Sequence, residues 1–201
     1  MRPNLPPVAV ADRITRLRAS LAAEGADAIL VTRLPNVRYL TGFTGSAGLL
    51  LVTAEDAIFV TDGRYREQAG EQLDAAGATI EIGIGVAEGD QREHLRRVVA
   101  RAGVRRLLLE AHGVSWAQAR SYDEEWFPEV EVVAGPPIVE QLRMVKEPGE
   151  IERIRAACAI ADDALDALLR RLVGVGIVSL TSQPPNLEEI FLRYYGGGAA
   201  R

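Results

Sequence analysis

Apolar and polar positions along this chain fall into blocks whose period switches between that of a helix and that of a strand. Ile14, Leu17 and Leu21 recur at three- and four-residue steps, which places them on one helical face with the arginines outward, and Gly25 ends that helix. The apolar run Ala28–Val31 reads as a buried strand, and Pro35-Asn36 is a turn signal leading into a short helical or irregular loop at 37–42. Two further apolar runs, 47–52 and 57–60, are separated by Thr53, Ala54, Glu55 and Asp56 and predict a hairpin that Asp62-Gly63 terminates. Helices at 65–75, 91–102 and 115–125 then alternate with strands at 79–84, 106–109 and 130–133. Such alternation predicts a layered α/β domain, and the early hairpin makes its central sheet mixed, flanked by helices and followed by a helical tail.

Gly135-Pro136-Pro137 closes that unit, because two prolines continue neither a ladder nor a helix interior. The expected organisation is a domain over 1–137, a linker over 138–147, a long helix over 148–173 and an atypical tail over 174–201. Glu147-Pro148 is the helix start, with proline where a missing N–H costs nothing. Beyond it Ile151, Ile154, Cys158, Ala161, Leu165, Leu168 and Leu172 form a heptad seam that needs a packing partner. In the tail, Asn186 caps a predicted helix with Leu187, Ile190, Phe191 and Tyr194 on one face and Gly196 at its end.

Composition narrows the function classes. The 201 residues carry a net charge of -5, spread along the chain without a Lys/Arg block, so nucleic acid is a poor partner. Cys158 is the sole cysteine, which rules out an intrachain disulfide and a thiolate metal cluster and suits the cytoplasm. The most apolar stretch is interrupted by Arg170 and Arg171 and is too short to cross a bilayer, and no membrane role is expected.

The densest polar signal is Asn36-Val-Arg-Tyr-Leu-Thr-Gly-Phe-Thr-Gly-Ser-Ala-Gly48, whose glycines permit tight turns and whose Asn36, Arg38, Tyr39, Thr41, Thr44 and Ser46 set hydrogen-bonding groups on one loop. Thr61-Asp-Gly-Arg-Tyr65 at the hairpin end is a second polar cluster able to meet it. With Leu142-Arg-Met-Val-Lys-Glu-Pro-Gly-Glu-Ile-Glu-Arg-Ile-Arg155, these segments resemble, in that order, the creatinase/aminopeptidase P/prolidase family over roughly residues 10–170. The resemblance implies a mixed α/β N-terminal domain preceding a catalytic domain of pita-bread fold, of which the helix over 148–173 is the opening element. In that family the catalytic half holds two divalent metal ions (Mn, Co or Zn) through Asp, His and Glu side chains and cleaves the bond before proline. The N-terminal half holds no metal, builds the oligomer and screens the cleft. Substrate-gate or interface candidates are accordingly Asn36, Arg38, Tyr39, Thr41, Phe43, Asp62, Arg64 and Tyr65, and the interface stripe is Ile151, Ile154, Cys158, Leu165, Leu168 and Leu172.

The chain departs from the family in one respect: fewer than thirty residues follow position 172, and none of the ligand motifs appears. The expectation is a non-catalytic domain truncated before the metal ligands, with no catalytic or metal residue of its own and no cofactor. Its expected partner is a second copy or a full-length relative, and it meets proline-containing peptides only through a catalytic domain. The alternatives are a metallopeptidase active when a partner supplies that domain, and a truncated product without function. Asp162-Asp163 cannot substitute for the metal cluster, since adjacent helical residues diverge and no histidine follows. His94 sits on a charged helix, and Glu110 with His112 lacks a third ligand. Ser46 lies in a turn before a strand, outside a G-x-S-x-G elbow. Asp62 with Arg64 forms an ion pair pinning the hairpin end, and Trp116 and Trp126 are core or interface aromatics. A short stretch of the tail, 182–196, resembles the closing helix of ATP-binding cassette transporter ATPases but brings no ATPase machinery.

Overall fold

A computed structural model describes residues 10–87, 89–176, 179 and 181. Two compact units divide at Ile154 and Arg155. The first contains a six-stranded sheet with strands β1 Ala28–Val31, β2 Leu49–Thr53, β3 Ala57–Asp62, β4 Glu81–Gly85, β5 Arg106–Glu110 and β6 Glu131–Gly135. Their spatial order is β4-β3-β2-β1-β5-β6. β2 runs antiparallel to both neighbours, whereas β3–β4, β1–β5 and β5–β6 are parallel pairs, so the sheet is mixed as the hairpin predicts.

The central strands read as unbroken apolar runs because helices cover both faces. Alternate residues point oppositely. Ile29, Val31, Leu50, Val52, Phe59 and Leu108 pack under α1 (Val10–Ala23), α2 (Leu34–Thr41), α3 (Arg66–Ala75) and α6 (Ile138–Met144). Leu30, Leu51, Ile58, Val60, Leu107 and Leu109 meet α4 (Asp90–Arg101) together with Tyr122 and Phe127, which flank the segment carried by α5 (Trp116–Ser121). The last helix, α7, spans Pro148–Val173. From Arg155 onward its described residues constitute the second unit, in which Leu165 and Leu168 are exposed.

Several boundaries differ from the sequence reading, each for a local reason. α2 begins at Leu34, so Pro35 starts a helix instead of a turn, its fixed φ being suited to a first helical turn. The helix read at 115–125 stops at Ser121 and continues as a π turn over Tyr122–Trp126, closed by the Phe127 N–H donating to the Tyr122 carbonyl at 2.9 Å. Residues 138–147, read as a linker, contain α6, whose Ile138 and Val139 are buried against the sheet. Pro136-Pro137 therefore turns the chain into a helix that completes the core. Trp116 is 81% exposed and not a core residue, while Trp126 packs partly against the α4 side. The tail helix read around 186–196 lies outside the described residues. Among the described residues no helix is long and apolar enough to cross a membrane.

Leu30 is fully buried and pairs with Leu51 on one side and Leu109 on the other. Leu30→Ala is expected to cost about 2–5 kcal/mol through lost transfer energy and a cavity that the sheet cannot collapse, measured as a lower urea midpoint at unchanged m-value.

Candidate functional site

The segment from the end of β1 to the start of β2 is fixed by a buried polar network that begins at Glu110. This carboxylate sits at the C-terminal end of β5 and is 6% exposed. Its Oε2 accepts from the backbone N–H groups of Thr32 (2.6 Å) and Arg33 (2.8 Å) and from the Thr32 hydroxyl, and its Oε1 accepts from Asn36 Nδ2 at 2.6 Å. Asn36 Nδ2 also donates to Glu140 at 2.8 Å, while Asn36 Oδ1 accepts from Arg143 at 2.7 Å. Arg33 pairs with Glu140. Burial pushes the Glu140 carboxyl up, but the hydrogen bond from Asn36 and the Arg33 charge outweigh it and hold the group below the usual range.

A second network lies one helical turn further along α2. The Arg13 guanidinium stacks 4.0 Å from the Tyr39 ring centroid, donates to the Tyr39 carbonyl at 2.7 Å and binds Glu147 with contacts of 2.9 and 3.1 Å. Arg16 also bonds Glu147, and Glu150 lies 3.5 Å from Arg13. The hydrogen bond from Arg13 and the two arginine charges hold the Glu147 carboxyl below its ordinary range. Desolvation raises the Tyr39 phenol.

Of the eight gate candidates, four are therefore interior. Asn36, Tyr39, Thr41 and Phe43 are buried, and their roles are to bind neighbouring elements. Thr41 Oγ1 donates to the Val37 carbonyl and accepts from the Phe43 N–H, closing the end of α2, where Gly42 adopts φ 77°. The remaining four lie at the surface. Arg38 is exposed, and its guanidinium has no hydrogen-bond or ion-pair partner among the described residues. Arg64 forms a bidentate pair with Asp62 at 2.8 and 3.0 Å, the ion pair read from the sequence, and that hydrogen bonding holds Asp62 low. Tyr65 OH shares a 2.7 Å hydrogen bond with Ser46 Oγ, which lowers its phenol.

The two polar clusters thus meet through Ser46 and Tyr65. Beneath that contact, Phe43 lies 4.6 Å from Phe59 and edge-on to Tyr65 at 5.5 Å between ring centroids. Of the loop's three glycines only Gly42 needs a left-handed backbone. Gly45 and Gly48 serve a different need: a Cβ would stand 2.2 Å from Phe43 Cζ at Gly45 and 2.5 Å from Phe59 Cε2 at Gly48. The loop is consequently packed down onto an aromatic base. Thr44, Gln68 and Gln72 interlock at its side. A groove of about 740 Å³ runs past Arg13, Arg38, Tyr39, Thr44, Gln72 and Arg143.

Among the described residues no group of three or more His, Cys, Asp or Glu is placed to hold an ion. His94 Nδ1 contacts Arg97, His112 is exposed, and both Glu110 oxygens already accept donors. Buried Arg13 and half-buried Glu140, Arg143 and Glu147 are not among the sequence candidates, and Glu110 enters there only as a possible metal ligand beside His112. Arg13 had a legible signal, since it falls on the Val10, Leu17, Leu21 stripe of α1, where a charge requires a buried partner.

Comparison with known proteins places this architecture. Residues 13–145 match the family model described as Creatinase/Prolidase N-terminal domain. The uncharacterized peptidase YqhT of Bacillus subtilis is 36% identical over 157 residues, covering 78% of this chain and 42% of that protein. The Xaa-Pro dipeptidase of Bacillus anthracis superposes with a TM-score of 0.71 at 30% identity, covering 80% of this chain and 43% of its own. The N-terminal domain of the cytoplasmic peptidase PepQ of Mycobacterium tuberculosis gives 0.56 at 36% identity, covering 66% and 98%. The chain thus spans less than half the length of the full-length relatives.

Two outcomes test the site geometry. Gly45→Ala and Gly48→Ala are each expected to destabilise by about 1–3 kcal/mol through overpacking against the rings, seen as a lower thermal midpoint. Glu147→Gln is expected to cost about 1–3 kcal/mol at pH 7 by leaving the buried Arg13 guanidinium underpaired. Because the folded-state pKa of Glu147 is depressed, its contribution is present above the ordinary carboxylate range and is lost as pH falls through the folded value. The difference between parent and variant therefore shrinks below roughly pH 4 in denaturant titrations.

Proposed function

This chain belongs to the creatinase/prolidase N-terminal domain family, and from that premise we propose that it is the non-catalytic, oligomer-building and cleft-screening part of a Xaa-Pro aminopeptidase or dipeptidase. The observation that carries this reading is the loop from Thr44 to Gly48. It is exposed and polar at its crest, with Ser46 bonded to Tyr65, Arg64 to Asp62 and Arg38 projecting nearby. It is also anchored from below by Phe43 and Phe59. A screening element must hold polar groups at fixed positions to exclude some peptides and admit others, and a packed loop meets that need where a loose one does not.

The stripe Ile151, Ile154, Cys158, Leu165, Leu168 and Leu172 supports the association half of the proposal. All six residues are exposed in the described chain, with Leu165 and Leu168 each more than half accessible. Apolar rows of that length on a helix surface mark contacts with other protein. In the parent protein, peptides and the two divalent metal ions belong to the catalytic half, and this chain supplies no step of the hydrolysis.

The 201-residue chain is expected to be a dimer at micromolar concentration by light scattering, and Leu165→Glu with Leu168→Glu to be monomeric. A clean monomer for the parent chain rejects the association. Incubation with Mn²⁺ and an Xaa-Pro peptide is expected to give no turnover, and appreciable cleavage by the purified chain rejects the non-catalytic assignment.

A further inference from the structure

The groove beside α2 gathers more guanidinium groups than its carboxylates neutralise. Its walls include Val10 and Arg13 of α1, Arg38 of α2, Arg143 of α6, and Glu150 and Arg153 at the start of α7. Arg13 and Arg153 are already engaged. The buried Arg13 is met by Glu147 and Glu150, and Arg153 donates to the Gly149 carbonyl at 3.0 Å. Glu150, the acidic residue of that wall, is likewise taken up, lying 3.5 Å from Arg13 and accepting from the Glu147 N–H at 3.1 Å.

Arg143 and Arg38 are placed differently. Arg143 is half-buried and its Nη1 donates to Asn36 Oδ1 at 2.7 Å. That acceptor is a neutral amide whose orientation is set by Glu110 and Glu140, both of which accept from Asn36 Nδ2. The guanidinium is thus anchored without being neutralised: among the described residues no carboxylate pairs with it, and its remaining N–H groups have no acceptor. Arg38, exposed in the last turn of α2, also lacks a counter-charge among the described residues. The nine residues that lead into Val10 add Arg2 and contain no aspartate or glutamate. A groove of about 740 Å³ is in the size range of small-molecule sites.

We propose that this groove binds a small organic anion through carboxylate or phosphate oxygens, with the anchored Arg143 and the unpaired Arg38 both donating to it. Two uncompensated charges suit a dianion, and the planar guanidinium fork matches either kind of oxygen pair. Arg143 needs little reordering to bind, because the Asn36 network already holds it. The site is independent of the screening role assigned to the 44–48 loop and of the α7 stripe: anion binding by this chain and its association are separate measurements.

Calorimetric titration of the 201-residue chain with pyrophosphate in one arm and citrate in the other tests it. At least one of the two is expected to bind saturably, and the arm that binds tells phosphate from carboxylate. A chain of net charge -5 has no general attraction for anions, so saturable binding marks the local excess of arginine. Arg38→Gln is expected to weaken binding by about tenfold through loss of charge-assisted hydrogen bonds, and Arg143→Gln by at least as much. Arg120→Gln, which removes an exposed arginine paired with Glu124, is expected to leave it unchanged. Should Arg143→Gln loosen the Asn36 network and unfold the chain, as read by circular dichroism, the exposed Arg38→Gln carries the test. The proposal is overturned if neither anion binds saturably, if Arg38→Gln or a folded Arg143→Gln binds as tightly as the parent, or if Arg120→Gln weakens binding equally.

Discussion

Everything at the loop face rests on one buried carboxylate and the donors that neutralise it. Glu110 is 6% exposed, and a carboxyl group there is tolerable because two backbone N–H groups, a hydroxyl and the Asn36 amide converge on it. Those donors belong to the β1–α2 junction, the acceptor to β5, and Asn36 passes the constraint to Glu140 and Arg143 on α6. A parallel strand pair, a helix start and a helix distant in sequence are thus fixed by one set of hydrogen bonds. Removal of Asn36 would leave the buried Glu110 carboxyl short of a donor and uncouple it from α6, which is why such a network specifies one arrangement.

The Arg13 cluster does comparable work at the junction of α1, α2 and the start of α7. Stacking on Tyr39 and pairing with Glu147 satisfy a guanidinium that is almost wholly inside. Together the two networks explain why Asn36, Tyr39 and their neighbours in the polar segment 32–48 are buried. Its buried hydrogen-bonding groups serve neighbouring elements, while Leu34, Pro35, Arg38, Thr44 and Ser46 are exposed.

The layered fold was legible because the strands are covered on both faces, and continuous runs such as Leu50, Leu51 and Val52 leave little alternative. α6 was not legible, since Pro136-Pro137 reads equally as a terminator and as the fixed-φ entry to a helix, and the buried partners of Ile138 lie far away in sequence. The ion pair of Asp62 and Arg64 could be read because it is local. Phe43 and Asn36 misled in the other direction: both sit in a glycine- and hydroxyl-rich loop, yet one fills the space beside Phe59 and the other bridges carboxylates contributed by β5 and α6. Spacing along the chain carries no record of such pairings.

The place of β2 in the sheet has a kinetic consequence. β2 and β3 are joined by a turn in which the Thr53 N–H meets the Asp56 carbonyl, so this antiparallel pair assembles from neighbouring residues. β1 must instead find β5 across a separation of 78 residues, as measured by the contact of Thr32 with Glu110. Chain entropy delays closures of that span. The hairpin thus closes at a lower entropic cost than the parallel half and the carboxylate it encloses.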